Sequence, residues 1–253
     1  MFRFFVTPQD ICDNSIKLSD DDSKHIRTLR LRPDEQFIVC DGNGTDYICQ
    51  LGERDDCSTA EIISSHRSHG EPTVKCRVFI AYSKGDRLDY AVQKSVELGA
   101  YEILLFESER CIAVPRDIPK KVARLQRISL ETAKQCNRGI IPIVSSVGNL
   151  DTAANEAKVN SELTVFFFES EDCLHIKEFL DKYFPPFVGY DEHKIKSISV
   201  ITGPEGGFNP NEVESVRSMG IPIVSLGPRV LRSETAPVAA LTAIMYQTGN
   251  MRI

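Results

Sequence analysis

Long apolar segments and C-x-x-C pairs of cysteines are both missing from this sequence. The densest apolar strip, residues 165–168, has the length of a strand, far below the roughly 20 residues that cross a bilayer. Residues 1–7 carry no basic region followed by an apolar stretch, so we expect no secretory signal, a cytoplasmic location and no membrane partner. The eight cysteines form no C-x-x-C pair, which indicates scattered reduced thiols and no metal site.

The composition is that of an ordinary globular protein. Apolar residues make up 42% and charged residues 26% of the 253 positions, which excludes disordered, coiled-coil and collagen-like chains. No internal repeat is evident. This length accommodates one large domain, or a small domain together with a medium one.

The first 70 residues predict a small β-rich domain. A strand is expected over 2–6, followed by a helix over 20–31 that Ser19 would cap. The D-G-N-G turn at 41–44, between two apolar runs, predicts a β-hairpin. The polar residues 64–71 precede a proline and predict a linker to a second domain at 71–253.

In the second domain, predicted strands alternate with predicted helices. The strands are expected at 74–81, 102–106, 163–168, 197–202 and 223–226, with a short extended segment at 140–144. The helices are expected at 87–98, 118–136, 174–182, 211–219 and 233–246. This alternation predicts an α/β fold with a parallel sheet covered by helices on both faces.

Two predicted strands end in loops rich in glycine and proline. The first loop, I-T-G-P-E-G-G-F-N-P at 201–210, carries Glu205 where a bare phosphate would be repelled, so a ligand with a positive centre is favoured. The second, L-G-P-R-V-L-R-S-E-T-A-P at 226–237, leads into a helix that Ser233 can cap. Each loop could be a tight turn only. Because ligands bind beyond the carboxyl ends of parallel strands, the two together predict two walls of one pocket.

A basic stretch precedes these loops. Eight basic and two acidic side chains lie between Arg110 and Arg138, in a chain whose net charge is −6. One face of the predicted helix carries Lys120, Arg124, Arg127 and Lys134. Such a face is usually only solvated, but the flanking Arg110, Arg116 and Arg138 favour binding of a polyanion such as nucleic acid.

The loop sequences also resemble a known family. G-P-E-G-G-F at 203–208 and L-G-P-R-V-L-R-S-E-T-A at 226–236 are similar to motifs of the bacterial 16S rRNA uridine-N3 methyltransferases, the small-subunit methyltransferase E type, in the SPOUT class. The likeness extends along most of the chain. Further matching segments are H-I-R-T-L-R at 25–30, D-G at 41–42, K-G-D-R at 84–87, Q-K-S-V-E-L-G at 93–99, S-E-R at 108–110 and E-T-A-K-Q-C-N-R at 131–138.

The resemblance implies a fold and a cofactor. It implies a small PUA-like β-barrel domain that binds RNA at 1–70 and an α/β SPOUT domain with a deep trefoil knot at 71–253, forming a homodimer through the second domain. It implies S-adenosylmethionine bound among the knot loops. The residues implied to bind this cofactor are Phe168, Glu169, Gly203, Pro204, Glu205, Gly206, Gly207, Leu226, Gly227 and Leu231.

The resemblance further implies methylation of uridine N3 in 16S rRNA of the small ribosomal subunit. The N3 proton must leave, and an arginine near O2 or O4 would stabilise the resulting anion. We assign this role to Arg232, with Glu234 as a base or organiser. The residues expected to contact RNA are Arg3, His25, Arg27, Arg30, Lys94, Arg110, Arg124, Gln135 and Arg138.

Three alternative functions stay open at this point. The chain could be a SPOUT enzyme that acts on another RNA position, or a non-catalytic RNA-binding protein of the same fold. An oxidoreductase that binds a dinucleotide would need a G-x-G-x-x-G segment after the first strand of the α/β domain, and A-Y-S-K-G-D at 81–86 does not supply one.

Overall fold

A computed structural model describes residues 1–52, 57–169, 173–185 and 194–251. The chain divides into two compact units. The first consists of residues 1–71 together with 133–141, and the second of 72–132 together with residues from 142 onward. The predicted division after residue 70 assigned the segment 133–141 to the second domain, whereas the structure groups it with the first.

The first unit is built on a six-stranded sheet, in agreement with the small β domain expected from the sequence. The strands are β1 (Arg3–Phe5), β2 (Ile11–Cys12), β3 (Ser15–Lys17), β4 (Phe37–Cys40), β5 (Thr45–Leu51) and β6 (Thr59–Arg67), in the order β1-β4-β5-β6-β3-β2. Its helix α1 (Asp20–Leu29) has Ser19 as N-cap, since the Ser19 side chain accepts a hydrogen bond from the Asp22 amide.

The predicted hairpin of this unit is confirmed. Strands β4 and β5 pair antiparallel, with Phe37 opposite Cys49. The predicted linker at 64–71 is wrong in its first half, because β6 continues to Arg67 and pairs with β5. Its residues 63–67 are all exposed, and because successive side chains point to opposite faces, this end of β6 is open to solvent on both sides. The polar composition therefore records an exposed strand end rather than a loop.

The second unit has a seven-stranded parallel sheet. Its strands are β7 (Lys75–Ala81), β8 (Ala100–Glu107), β9 (Ile143–Asn149), β10 (Leu163–Phe167), β11 (Leu174–His175), β12 (Ser197–Thr202) and β13 (Ile223–Ser225), in the order β11-β13-β10-β12-β7-β8-β9. The helices are α2 (Arg87–Glu97), α3 (Ile118–Gln135), α4 (Leu150–Asn160), α5 (Ile176–Tyr183), α6 (Pro210–Ser218) and α7 (Thr235–Gln247). The predicted α/β class is confirmed, and the trefoil knot stays a prediction.

Helix α4 was not predicted. Its buried side chains are Leu150, Ala153, Ala154 and Ala157. A stripe made mainly of alanine carries little hydrophobic contrast, so the helical period is weak in the sequence. The Asn149 side chain accepts a hydrogen bond from the Thr152 amide and caps this helix. The extended segment expected at 140–144 instead begins at Ile143 as β9.

The buried core of the second unit reaches the loop that follows β12. Phe208 packs on Phe166 with ring centroids 4.3 Å apart and lies parallel to Phe106 at 6.5 Å. This contact anchors the glycine-rich loop to the sheet. Among the described residues, no helix is both long and apolar enough to cross a membrane, and no group of three potential metal ligands was found.

Candidate functional site

A cavity of about 340 Å³ opens at the carboxyl ends of β10, β12 and β13 in the second unit. The structure brings nine of the ten predicted cofactor residues together in its lining. These are Phe168, Glu169, Gly203, Pro204, Glu205, Gly207, Leu226, Gly227 and Leu231. Gly206, the tenth, is not part of the lining. The volume falls within the range of small-molecule sites, which begins at roughly 300 Å³.

Several lining residues were missed from the sequence. They are Phe167, Phe208, Pro210, Ser225, Arg229, Val230, Ser233 and Ala236. Six of them lie within the two loop motifs but were not assigned to the cofactor. Phe167 and Ser225 directly precede the predicted residues Phe168 and Leu226, so extending the assignment by one position would have found these two. Arg110, expected to contact RNA, also lines this cavity.

Gly203 is required by the packing of its own loop. A Cβ atom at this position would lie 2.8 Å from Phe208 Cε2 and 3.1 Å from Cδ2. Since the Phe208 ring is fixed against Phe166, it cannot swing away as a flexible side chain would. The glycine therefore permits the loop to lie directly on the core and leaves the cavity above it open.

Gly206 has a different role from the one expected. A Cβ atom there would lie 2.9 Å from the Arg110 carbonyl oxygen and 3.0 Å from Arg110 Cβ. The Arg110 guanidinium Nη1 also donates to the Gly206 carbonyl oxygen at 3.4 Å. Gly206 thus lets the loop after β8 approach the loop after β12, which brings Arg110 to the cavity.

Glu205 is held by the loop that follows β7. Its Oε1 accepts hydrogen bonds from the Lys84 main-chain N–H at 2.8 Å and from Arg87 Nη1 at 3.1 Å. Its Oε2 is buried and has no hydrogen-bond partner in the described chain. An ionised carboxylate with one bonded and one free oxygen can accept a donor from a ligand, and it disfavours an anionic one.

The same arginine reaches the second loop. Arg87 Nε lies 4.0 Å from Glu234 Oε2, and the Ser233 hydroxyl donates to that oxygen at 3.2 Å. Arg87 therefore stands between the carboxylates of the two cavity loops. The predicted catalytic Arg232 is exposed and lies next to the lining residues Leu231 and Ser233 without itself lining the cavity.

We expect Arg87→Ala to weaken small-molecule binding in this cavity. The variant removes the cation between Glu205 and Glu234, whose repulsion then loosens both loops. Because Arg87 keeps 43% of its side-chain surface exposed, we expect only a loss of about two- to fivefold in affinity. Titration calorimetry with S-adenosylmethionine measures this loss of affinity.

Lys84→Met is the matched control. Lys84 contacts Glu205 through its main-chain amide, which the substitution leaves in place. Equal affinity losses in the two variants would show that general positive charge, and not the Arg87 contacts, is what matters.

Two predicted RNA contacts are corrected by the structure. Arg3 is buried in the first unit, where Nη1 and Nη2 donate to both carboxylate oxygens of Asp46 at 2.6 and 2.7 Å. Arg138 is 2% exposed, and its Nε and Nη2 donate to Glu71 at 2.8 Å each. Both arginines are interior ion-pair partners and are removed from the RNA-binding set.

The other RNA-contact residues lie on the surface, some of them in ion pairs. His25, Arg27, Arg30 and Gln135 are exposed in the first unit. In the second unit, Arg124 pairs with Asp89, and Lys94 donates to Glu97, which raises the Lys94 pKa. Lys134 of the cationic face pairs with Asp22 in the first unit. The basic stretch is therefore less positive than its sequence suggests.

Comparison with known proteins agrees with the two-part architecture. The RNA methyltransferase domain family matches residues 70–245, and the RNA methyltransferase PUA domain matches residues 18–56. The first match spans well over half of the chain. The chain therefore belongs to the class of RNA methyltransferases that carry a PUA domain.

Curated relatives and solved structures narrow this class. The chain is 29% identical to ribosomal RNA small subunit methyltransferase E of Bacillus subtilis, over 100% of this chain and 99% of the relative. It is 30% identical to that of Mesomycoplasma hyopneumoniae, over 96% and 98%. The crystal structure of the Neisseria gonorrhoeae enzyme bound to S-adenosylmethionine has a TM-score of 0.80 at 28% identity, covering 97% of each chain. The chain belongs to the ribosomal RNA small subunit methyltransferase E family, which confirms the resemblance drawn from the sequence.

Proposed function

We propose that this protein transfers a methyl group from S-adenosylmethionine to N3 of a uridine in 16S rRNA of the small ribosomal subunit. The observation that carries the proposal is the cavity formed where two Gly/Pro loops follow β12 and β13, the parallel strands that flank β10 in the same sheet. Support comes from family relatives named for the small-subunit rRNA and from solved neighbours with S-adenosylmethionine bound, including a putative methyltransferase of Legionella pneumophila.

The residues present fit this cofactor. Gly203, Gly207 and Gly227 line the cavity and, as glycines, offer it only main-chain groups. Beside them lie the apolar side chains of Phe168, Leu226 and Leu231, which suits an adenosine. The free Oε2 of Glu205 suits a cationic group. S-adenosylmethionine supplies a methyl group activated by a positively charged sulfur.

The protein must make the N3 atom of the substrate uracil reactive. Its proton has to leave before or during transfer, and negative charge then spreads over N3, O2 and O4. Arg232, exposed beside the cavity, would hold that charge through its guanidinium. Glu234, held by Ser233 and near Arg87, would accept the N3 proton or organise the loop that carries Arg232. The target base must leave any stack to reach this position.

We expect Arg232→Ala to abolish methyl transfer while leaving S-adenosylmethionine affinity within about threefold. The guanidinium acts only on the uracil anion, so its loss affects the transition state and not donor binding. Transfer is measured with purified small subunits lacking the modification, and donor affinity by calorimetry. Turnover retained by the variant would assign the anion-binding role to another arginine, for which Arg229 is the neighbouring candidate.

The position of the methyl group tests the proposal itself. 3-Methyluridine is mapped in 16S rRNA from cells with and without this chain. If the methyl group that disappears lies at another position or in another RNA, the protein is a SPOUT-type enzyme of different specificity. If no mark is lost and the pure protein binds RNA but no methyl donor, it is a non-catalytic RNA-binding protein. The homodimer implied by the resemblance stays a prediction, which light scattering of the purified chain tests.

A further inference from the structure

Glu212, in the first turn of α6, is a buried carboxylate that the proposed mechanism does not use. It is 8% exposed, and among the described residues no Lys, Arg or His forms an ion pair with it. Three hydrogen bonds satisfy it instead. Asn209 N–H donates to Oε2 at 2.8 Å, the Ser108 hydroxyl donates to Oε2 at 3.2 Å, and Glu109 N–H donates to Oε1 at 2.9 Å.

Only one of these bonds belongs to the helix itself. The bond from Asn209 completes a capping box, which needs a single carboxylate oxygen. The other two come from residues more than 100 positions earlier, in the turn after β8. A residue that served only as a cap would leave Oε1 in water, where the oxygen carries no desolvation cost. Its burial against Glu109 indicates a second task.

That second task concerns the turn formed by Ser108–Cys111. The Cys111 amide donates to the Ser108 carbonyl oxygen at 2.9 Å, which closes the turn. Arg110 projects from it and lines the cavity, with its Nη1 3.4 Å from the Gly206 carbonyl oxygen. The Asn209 side-chain amide donates to Glu109 and ties the same turn to the end of the glycine-rich loop. Glu212 is thus the buried attachment point of the segment that carries Arg110.

We propose that Glu212 is a positioning residue for methyl transfer, because it fixes the Ser108–Cys111 turn and so holds the Arg110 guanidinium at the cavity rim to meet the RNA substrate. This inference rests on the proposed function. It assigns Arg110 to contact with the nucleotide that enters the site and assigns Glu212 to act only through Arg110. Neither residue is required to hold the methyl donor.

The test is a double-mutant cycle between Glu212→Gln and Arg110→Ala. Glutamine keeps the shape of the side chain but replaces one acceptor oxygen with an amino group that faces N–H and O–H donors. We expect Arg110→Ala to lower kcat/KM for the small subunit by about 10- to 100-fold and Glu212→Gln by about tenfold. If Glu212 acts through Arg110, the double variant equals Arg110→Ala alone, whereas independent effects multiply.

Glu214→Gln is the matched control. Glu214 lies on the same helix and is largely exposed, and its one ion pair among the described residues is with Arg217 at 3.7 Å, so the control is expected to keep wild-type kinetics. Calorimetry with S-adenosylmethionine should give the same affinity for Glu212→Gln and Glu214→Gln, neither of which lines the cavity, as for the wild type, within about twofold. Unchanged kinetics in Glu212→Gln, or effects that multiply in the double variant, would overturn the proposal.

Two further measurements keep the inference separate from the proposed function. Should Glu212→Gln not fold, Ser108→Ala replaces it in the cycle, since it removes one bond to Glu212 and leaves the carboxylate in place. If the wild-type protein methylates no RNA, the proposed function fails. The double-mutant cycle is then measured on the affinity for 16S rRNA instead of on kcat/KM. Hydrogen exchange at the Glu109 amide reports directly on whether the turn is held. Slow exchange in Glu212→Gln, or additive losses of RNA affinity, would still overturn the positioning role.

Discussion

Gly203→Ala is expected to lower the affinity for S-adenosylmethionine by about tenfold or more. The new Cβ would lie 2.8 Å from the Phe208 ring, closer than any ordinary contact. The ring is held by Phe166 on one side and aligned with Phe106 on the other. The glycine-rich loop must therefore lift away from the core, toward the cavity that it lines.

The magnitude follows from the cost of overpacking. Forcing one extra carbon into a close-packed core costs about 1–3 kcal/mol. Part of this cost appears as lower stability, and part as a loop that has to be pushed back before a ligand can bind. Calorimetric titration measures affinity, and thermal unfolding of the same samples measures the loss of stability.

Two variants separate the clash from a general loss of stability. Gly220→Ala introduces a methyl group at φ +73°, after α6, with no atom within 4 Å, so it strains the backbone without filling the cavity. It should lower stability and leave donor affinity unchanged. Gly203→Ala combined with Phe208→Leu removes part of the clashing ring and should bind better than Gly203→Ala alone. Equal affinity in Gly203→Ala and the wild type would contradict the contact.

The cavity walls could be predicted because their signals are local. A buried strand followed by Gly-Pro-Glu-Gly-Gly identifies a strand-to-loop junction without any knowledge of distant partners. The strand predicted over 197–202 matches β12 at both ends, and the loop follows at once. Parallel strands of one sheet end at the same sheet edge, so two such loops predict one site even though β10 lies between β12 and β13. Which side chains would turn inward depended on packing, and Arg229 and Ser225 were missed for that reason.

Roles that depend on a distant partner could not be predicted. Arg138 pairs with Glu71, 67 positions away, and Glu212 bonds to Glu109, 103 positions away. Sequence periodicity reports which face of an element is apolar, but it does not report which carboxylate a given arginine meets. The local count of positive charge from Arg110 to Arg138 therefore overstated the surface available to RNA.

Asp46→Asn is expected to destabilise the protein by about 3–5 kcal/mol, because it leaves a buried arginine without its counter-charge. Asp46 is 3% exposed and Arg3 is 5% exposed at the side chain. The carboxylate accepts both Arg3 bonds and a third from the Ser68 hydroxyl at 2.6 Å. An asparagine retains one acceptor oxygen and turns an amino group toward a cation. Urea unfolding at neutral pH measures the loss.

Asp21→Asn is the control for this prediction. Asp21 also pairs with a basic residue of the first unit, but the pair with Lys24 is largely exposed on both sides. We expect a change of less than about 0.5 kcal/mol from its loss. Similar losses of unfolding free energy in the two variants would contradict the interior role of the Arg3–Asp46 pair. Arg3 would then have to be treated as a surface residue.

The pH dependence of the same pair gives an independent result. Burial by itself would raise the pKa of Asp46, but the hydrogen bonds from Arg3 and Ser68 outweigh it, so the pKa in the folded protein is lowered. A carboxylate of this kind stabilises the fold above its unfolded pKa of about 3.9, and that stability is lost as the pH falls through the folded value. The difference in unfolding free energy between wild type and Asp46→Asn should therefore stay constant above about pH 5 and shrink below about pH 4. A difference that persists undiminished in acid would mean that the lost stability comes from packing rather than from charge.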